Sequence, residues 1–238
     1  KFLMKKILIA STSTTYGSSY LEYLLVELSD FFKSVDCILF VPYARPSGMS
    51  HDTYTRIAQN TFQKIGKKVM GLHKFKDPKK AVADAQGVFV GGGNSFVLLN
   101  ALYKLDLMQP LKAAILSGTP YLGTSAGSNI CGQTIGTSND MPIVYPPSFK
   151  ALELIPFNIN PHYLEPLKDS RHMGESRATR IKEFHFFNNH NVLGLREGSY
   201  LKIHGDKIKL KGPFKACVFK KDSLPYEIEP GTDLSRFK

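Results

Sequence analysis

The first half of the chain alternates short apolar runs with longer stretches in which apolar residues recur every three or four positions. The short runs are typical of buried strands, and the longer stretches are typical of amphipathic helices. The predicted strands are residues 5–10, 37–42, 67–72 and 87–90, and the predicted helices are residues 20–32, 53–65, 78–85, 95–103 and 111–116. Strands that alternate with helices predict right-handed crossovers and a mainly parallel sheet.

The pattern changes in the second half of the chain. Residues 137–147 are rich in Asn, Pro and Thr, and the next clear helix is predicted at residues 175–186. Short strands are then predicted at residues 191–195, 199–204, 207–211 and 216–220, two of them joined by a Gly-Asp turn. The sequence therefore predicts an α/β fold, a mainly parallel sheet flanked by helices with an antiparallel C-terminal extension, in one domain over residues 1–238.

A serine flanked by small residues follows the next apolar run. Ser125 is the centre of the sequence Gly-Thr-Ser-Ala-Gly over residues 123–127. A serine on a sharp, strained turn between a strand and a helix requires such small neighbours. The turn lifts the hydroxyl above the sheet, and the N–H of Ala126 then faces the charge that develops on a substrate carbonyl oxygen. The pattern predicts a nucleophile elbow, and an ordinary Gly/Ser loop is the alternative.

A second glycine-rich junction lies upstream. Residues 91–94 are Gly-Gly-Gly-Asn and connect a predicted strand to a predicted helix. Glycines at such a junction let the backbone approach a ligand closely and leave N–H groups unpaired. The sequence matches neither the GxGxxG of a dinucleotide site nor the GK[ST] of a phosphate loop. Gly92 or Gly93 is therefore predicted to supply a second oxyanion donor, and a plain tight turn is the alternative.

A serine nucleophile needs a base within hydrogen-bond reach and an acceptor that orients the base. The candidate bases are the seven histidines, His51, His73, His162, His172, His185, His190 and His204. His162 is favoured because a proline precedes it, which fixes the backbone, and because its polar flanks suit a loop at a strand end. Asp140 and Glu197 are both candidates for the orienting carboxylate, since triads are recognised by geometry and not by order in the chain.

Composition narrows the class of protein. The net charge is +11, but the basic residues are spread along the chain, which favours a solvated surface that attracts small acidic substrates over a nucleic-acid site. No apolar run approaches the roughly 20 residues that span a bilayer, and residues 1–10 lack the apolar region of a signal peptide, so a cytoplasmic protein without a membrane partner is expected.

Cysteine and histidine spacings give no metal motif. Cys37, Cys131 and Cys217 are far apart and lack CxxC spacing, so they are expected to be buried thiols in a reducing compartment. His185 and His190 match no zinc-ligand pattern, and neither a metal nor a cofactor is expected. Cys131 follows the predicted elbow but lacks a glycine-flanked turn of its own, which makes it a poor candidate for the nucleophile.

Several short motifs fall in the order and approximate spacing of the peptidase E family. They are residues 91–94 (GGGN), 123–127 (GTSAG), 139–144 (NDMPIV), 159–162 (INPH), 174–177 (GESR) and 197–198 (EG). From about residue 5 to about residue 219 the chain resembles this family of α-aspartyl dipeptidases, which belongs to the serine peptidase group that also contains cyanophycinase. The chain departs from the family at Thr124, where an aromatic residue is usual, and at Arg196, where proline is common.

The resemblance implies a fold and a set of catalytic residues. The fold would be the three-layer arrangement of class I glutamine amidotransferases. Ser125 would be the nucleophile and His162 the base. Both Glu197 and Asp140 match functional positions of the family. Glu197 is preferred as the residue that orients His162, and Asp140 as a nearby supporting or substrate-site residue.

The resemblance also implies residues that bind the substrate and the oxyanion. Gly93 and Ala126 would hold the oxyanion, and Asn94 and Arg177 would contact the substrate. The guanidinium of Arg177 would form a bidentate pair with the side-chain carboxylate of an N-terminal aspartate. Without the resemblance, an arginine on a helix surface is the ordinary interpretation of Arg177.

The expected activity is hydrolysis of Asp-Xaa dipeptides through an acyl-enzyme, without a cofactor, by a monomer or homodimer that binds no nucleic acid. Two alternatives remain open at this point. One is a cyanophycinase-like or other acyl-aspartate hydrolase that uses the same site. The other is a catalytically inactive binding protein that uses the basic surface for an acidic partner.

Overall fold

Two β-sheets organise the fold in the computed structural model, which describes residues 4–46, 48–166 and 173–237. The strands are β1 (Lys6–Ala10), β2 (Cys37–Val41), β3 (Lys68–Gly71), β4 (Val88–Val90), β5 (Tyr121–Thr124), β6 (Asn158–Pro161), β7 (Val192–Leu195), β8 (Tyr200–His204), β9 (Lys207–Lys211), β10 (Ala216–Phe219) and β11 (Tyr226–Ile228). The larger sheet has seven strands in the order β3-β2-β4-β5-β1-β8-β9. The first five are parallel, and β8 and β9 are antiparallel to their neighbours. The predicted fold class is confirmed.

Helices cover both faces of the larger sheet. They are α1 (Leu25–Phe31), α2 (His51–Gln63), α3 (Pro78–Ala83), α4 (Ser95–Lys104), α5 (Met108–Leu116), α6 (Ala126–Asn129) and α7 (Arg177–Phe187). The predicted start of α3 is confirmed, since Pro78 is its first residue and the Asp77 carboxylate accepts a hydrogen bond from the Lys80 N–H. The helix predicted at residues 20–32 is instead a 3-10 turn followed by α1, and the helix predicted at residues 111–116 begins earlier.

Alternate side chains of the central strands point to the two faces of the sheet and form two separate cores. Leu8 of β1 packs with Tyr54 and Phe62 of α2 on one face. Ile7 and Ile9 pack with α4 and α5 on the other. Burying apolar strands on both faces is typical of a parallel sheet covered by helices. None of the helices within the described residues is both long and apolar enough to cross a membrane.

The smaller sheet has the order β11-β10-β7-β6, with β6 and β7 parallel. The sequence pattern missed β6 because its sequence is Asn-Ile-Asn-Pro, which lacks an apolar run. Its two asparagines are buried, and both side chains form hydrogen bonds. The Asn158 side-chain oxygen accepts from the N–H groups of Gln133 and Thr134, and the Asn160 side-chain nitrogen donates to the Thr137 carbonyl oxygen. The pattern also missed β11, a short strand at the sheet edge.

The carboxyl ends of three neighbouring strands bring the sequence motifs together. Val90 at the end of β4 pairs with Gly123 of β5, and Ala10 at the end of β1 pairs with Thr124. The chain continues from these ends into the glycine loop 91–94, into Ser125 and into Ser11. Parallel strands place such loops at one edge of the sheet, where ligand sites of α/β proteins form.

Candidate active site

Ser125 lies on a strained turn between β5 and α6. Its φ of 51° and ψ of −108° lie outside the regions that non-glycine residues usually adopt. The flanking glycines are required because a side chain at either position would collide with a backbone carbonyl oxygen. A Cβ on Gly123 would lie 2.4 Å from the Gly127 carbonyl oxygen, and a Cβ on Gly127 would lie 2.2 Å from the Val90 carbonyl oxygen. The local sequence therefore has the geometry predicted for a nucleophile elbow.

A continuous hydrogen-bonded relay runs from Ser125 through His162 to Glu197. The Ser125 Oγ lies 2.8 Å from Nε2 of His162, and Nδ1 of the same ring lies 2.6 Å from Oε1 of Glu197. A carboxylate at Nδ1 favours the tautomer with its proton on Nδ1, which leaves Nε2 free to accept the serine proton. The His162 side chain is 32% exposed, so water can reach the relay.

The backbone of His162 is held by a serine that sequence reasoning missed. His162 has a φ of 55°, and its N–H donates to the Ser11 Oγ at 2.8 Å. The Ser11 hydroxyl donates in turn to the Leu195 carbonyl oxygen at 2.7 Å, two residues before Glu197. Ser11 is fully buried and thus connects the end of β1 to both His162 and β7. A small polar residue directly after a buried strand was the only signal in the sequence.

Asp140 lies away from the relay and caps α4. Its carboxylate accepts hydrogen bonds from the Ser95 N–H at 2.7 Å and from the Ser138 hydroxyl at 2.9 Å. Asn94 caps the same helix, since its side-chain oxygen accepts hydrogen bonds from the next two backbone N–H groups of α4. The Asn94 amide nitrogen donates to the Met141 carbonyl oxygen at 2.8 Å. Of the two candidate carboxylates, only Glu197 contacts His162.

The glycine loop is packed against the elbow. A Cβ on Gly92 would lie 3.1 Å from the Ser125 Cβ, so a side chain there would require a shift of a few tenths of an ångström. The Tyr54 hydroxyl donates to the Gly92 carbonyl oxygen at 3.0 Å, which fixes the orientation of that peptide group. The loop therefore lies directly beside the serine.

The N–H groups of Gly93 and Ala126 are among the backbone donors near the serine that have no acceptor within the described part of the chain. Gly93 has a φ of 144°, and a Cβ there would lie 2.3 Å from the Ala44 carbonyl oxygen. Ala126 is the first residue of α6, where backbone N–H groups lack partners within the helix. This arrangement suits a developing negative charge on a carbonyl oxygen bound at Ser125.

Arg177 is the first residue of α7 and is partly buried. Its Nη1 is buried and has no hydrogen-bond partner among the described residues. It lines a small cavity of about 40 Å³ together with Asn139 and Asn160. Burial lowers the pKa of the guanidinium from its usual value, and the negative charge of Glu197 opposes this effect. The site therefore contains a cation without an acid partner among the described residues.

Comparison with known proteins identifies the family. The model of "Peptidase family S51" matches residues 7–211. The chain belongs to peptidase family S51. A probable alpha-aspartyl dipeptidase of Drosophila melanogaster is 46% identical over 234 residues, which cover 97% of this chain and 96% of that protein. A peptidase E of Streptomyces coelicolor is 45% identical over 229 residues, which cover 96% and 93% of the two chains. The resemblance to the peptidase E family is confirmed.

Solved structures support the fold of this S51 protein. A crystal structure of a peptidase from an acI-B1 Actinobacterium has a TM-score of 0.74 at 16% identity and covers 98% of this chain and 97% of its own. A putative peptidase E from Listeria monocytogenes EGD-e has a TM-score of 0.67 at 18% identity and covers 89% and 100% of the two chains. At these identities the likeness concerns the fold alone.

Arg196 and Thr124, where the sequence departs from the family pattern, have different surroundings in this S51 chain. Arg196 forms ion pairs with Glu165 and Glu227 and donates to the Lys215 carbonyl oxygen at 2.7 Å. It thus ties the segment after His162 to β10 and β11. Thr124 is fully buried, and its hydroxyl has no partner among the described residues.

The remaining histidines and cysteines lie outside the relay. Nε2 of His73 lies 2.8 Å from Asp52, and Nε2 of His185 lies 3.0 Å from the carbonyl oxygen of His190. Burial raises the pKa of the Cys131 thiol to about 12, which opposes formation of a thiolate. Within the described residues, no group of three or more His, Cys, Asp or Glu side chains is arranged to hold a metal ion. His172 lies outside the described residues.

Proposed function

We propose that this S51 protein is a serine dipeptidase that hydrolyses dipeptides with an N-terminal aspartate. The observation that carries the proposal is the relay of Ser125, His162 and Glu197, with distances of 2.8 Å and 2.6 Å. The relatives named alpha-aspartyl dipeptidase and peptidase E, which match nearly the whole chain, support the substrate class. These names do not favour the cyanophycinase-like alternative, and the family does not favour a catalytically inactive binding protein.

The first half of the reaction forms an acyl-enzyme. Nε2 of His162 takes the proton of the Ser125 hydroxyl while Oγ attacks the carbonyl carbon of the peptide bond. Glu197 stabilises the imidazolium that results. The N–H groups of Gly93 and Ala126 donate to the oxyanion. The imidazolium then protonates the leaving amine, the C–N bond breaks, and the second residue departs.

The second half releases aspartate. His162 takes a proton from water, which attacks the ester carbonyl carbon, and the same two N–H groups stabilise the oxyanion again. The proton returns to Oγ of Ser125 as the C–O bond breaks. Each proton transfer uses Nε2 of His162, so fixing its backbone through Ser11 matters in both halves.

Recognition of aspartate is assigned to Arg177. A guanidinium offers a planar pair of donors that matches a carboxylate, and the buried Nη1 of Arg177 has no other partner among the described residues. Asp140 and Asn94 are assigned a supporting role, because their side chains fix the start of α4 directly after the glycine loop.

The nucleophile is tested by Ser125→Ala with Asp-Leu as substrate. Removing a triad member costs up to about 10⁶-fold in turnover, so hydrolysis is expected to fall below detection while the protein remains folded. A fluorophosphonate probe is expected to label the wild-type protein and not the variant. Full hydrolysis of Asp-Leu by Ser125→Ala would exclude the mechanism.

The specificity is tested by Arg177→Ala with Asp-Leu and Ala-Leu. The variant should lose kcat/KM for Asp-Leu by roughly tenfold to a hundredfold, as expected for a hydrogen bond to a charged group, with little change for Ala-Leu. Lys182→Ala is the matched control, because Lys182 is an exposed cation on the same helix. Equal losses on the two dipeptides would remove the role assigned to Arg177.

A further inference from the structure

A second arginine, Arg45, lies beside the glycine loop. Arg45 follows β2, and its guanidinium carbon lies 4.9 Å from the centre of the Tyr54 ring. The hydroxyl of that ring donates to the Gly92 carbonyl oxygen at 3.0 Å. The residue before Arg45, Ala44, accepts a hydrogen bond from the Asn94 N–H at 2.7 Å. Arg45 is therefore held close to the glycine loop that flanks Ser125.

Arg45 has no acid partner in the described part of the chain. Its guanidinium forms no hydrogen bond or ion pair with a described residue, and its Nε is buried without an acceptor. The guanidinium of Arg196, unlike that of Arg45, contacts two carboxylates and a backbone carbonyl oxygen. A buried donor without an acceptor is unfavourable, so an anionic ligand group at Arg45 would be stabilised.

The surroundings of Arg45 and Arg177 belong to opposite faces of the larger sheet. The ring beneath Arg45 belongs to the core formed with α1 and α2. Arg177 instead lines a cavity with Ser138, whose hydroxyl lies 3.2 Å from that of Ser95 at the start of α4 on the other face. Each of the two guanidinium groups has a buried nitrogen without a hydrogen-bond acceptor among the described residues.

The substrate has a matching distribution of charge. At the scissile carbonyl carbon, the aspartyl Cα and the leaving nitrogen are on opposite sides of the C=O axis. With the aspartyl side chain at Arg177, the second residue would extend away from Arg177, and Arg45 is a second guanidinium close to the glycine loop beside Ser125. In a dipeptide this residue ends in a carboxylate, roughly 3.5 Å beyond the scissile bond, whereas a longer peptide or an amide has no charge there.

On the basis of the proposed dipeptidase function, we propose that Arg45 is a specificity-determining residue that binds the C-terminal carboxylate of the substrate. The site thereby selects dipeptides with a free C-terminus. Arg177 would bind the side-chain carboxylate of the aspartyl residue, and Arg45 would bind the C-terminal carboxylate of the second residue.

The experiment compares Asp-Leu with Asp-Leu amide for the wild type, Arg45→Gln and Arg45→Lys. The wild type is expected to favour the free acid by roughly tenfold to a hundredfold in kcat/KM, as for a hydrogen bond to a charged group. Arg45→Gln should lose this preference, mainly through KM for Asp-Leu, while its kcat/KM for the amide stays within about twofold. Arg45→Lys should keep part of the preference, because it keeps the charge.

Arg56→Gln is the control, since Arg56 is an exposed arginine on α2 and should keep the wild-type preference. Equal losses of Arg45→Gln on both substrates would overturn the proposal and indicate that Arg45 acts only by supporting Tyr54 and Gly92. Equal cleavage of acid and amide by the wild type would also overturn it. Failure to cleave either substrate would overturn the dipeptidase function itself, and the inference with it.

Discussion

Glu197 and Asp140 show how two similar carboxylates acquire different roles. Both are candidates for the carboxylate that orients His162, and both match functional positions of the peptidase E family. The structure separates them by their partners, since Glu197 contacts the imidazole and Asp140 contacts the first backbone N–H of α4. An acceptor at Nδ1 selects a tautomer, whereas an acceptor at a helix start stabilises the helix.

Substitutions at these two residues should therefore have different effects. Glu197→Gln removes the charge that stabilises the imidazolium and should lower kcat by up to about 10⁴-fold, with little change in KM. Asp140→Ala should keep most of kcat and lower the free energy of unfolding by about 1 kcal/mol, as for loss of a helix cap. Steady-state kinetics and urea unfolding separate the two outcomes. A loss of kcat in Asp140→Ala as large as that in Glu197→Gln would reassign the orienting role.

Ser11 is expected to position His162 without contacting the substrate. Ser11→Ala leaves the His162 N–H without its acceptor, and a displaced imidazole should lower kcat by about 10²-fold while KM stays within about twofold. Ser29→Ala, at an exposed position of α1, should change neither. If KM rises in Ser11→Ala while kcat is unchanged, Ser11 acts on substrate binding instead.

At the scale of elements, the turn between β5 and α6 requires the backbone of α6 to lie very close to the end of β4. α6 crosses the end of β4 so closely that the Val90 carbonyl oxygen occupies the position of a side chain on Gly127. This contact explains why a glycine two residues after the serine is part of the pattern. The glycine lets the helix start directly above the sheet.

Gly127→Ala tests this contact. The added methyl group would lie 2.2 Å from the Val90 carbonyl oxygen, so the elbow must shift. Overpacking of this kind should lower the free energy of unfolding by about 1–3 kcal/mol and should lower kcat as well. Gly136→Ala is the comparison, because its nearest contact would be 3.1 Å, with the movable ring of Phe184. Unchanged stability and kcat in Gly127→Ala would contradict the steric explanation.

The features that could be predicted from the sequence depend on residues that are close together in the chain. The start of α3 at Pro78 and the small residues around Ser125 follow from backbone geometry, so both could be predicted from the sequence alone. The strand β6 and the role of Ser11 were missed because they depend on distant partners. Ser11 and His162 are 151 positions apart, and the spacing of apolar residues in the sequence does not indicate a contact over that separation. The choice between Glu197 and Asp140 needed the fold for the same reason.

At the scale of the whole molecule, the net charge of +11 should attract substrates that carry two carboxylates. Salt screens this attraction, since the Debye length falls from about 30 Å at 0.01 M to about 8 Å at 0.15 M ionic strength. The value of kcat/KM for Asp-Leu should therefore fall severalfold over this range, while kcat stays constant. Stopped-flow or steady-state kinetics at graded NaCl would measure it. A kcat/KM that does not depend on salt would show that only the arginines at the site matter.

The relay joins residues of two sheets, and these residues leave the ribosome at different times. Ser125 follows β5 of the larger sheet, whereas His162 and Glu197 follow β6 and β7 of the smaller one. During synthesis the elbow residues emerge before the base and its carboxylate, and β1 gains its second neighbour only when β8 arrives. A chain whose synthesis stops before His162 therefore contains the serine but no base, and it should be inert. If Ser125, His162 and Glu197 carry out the reaction as proposed, hydrolysis begins only after residue 197 has been synthesised.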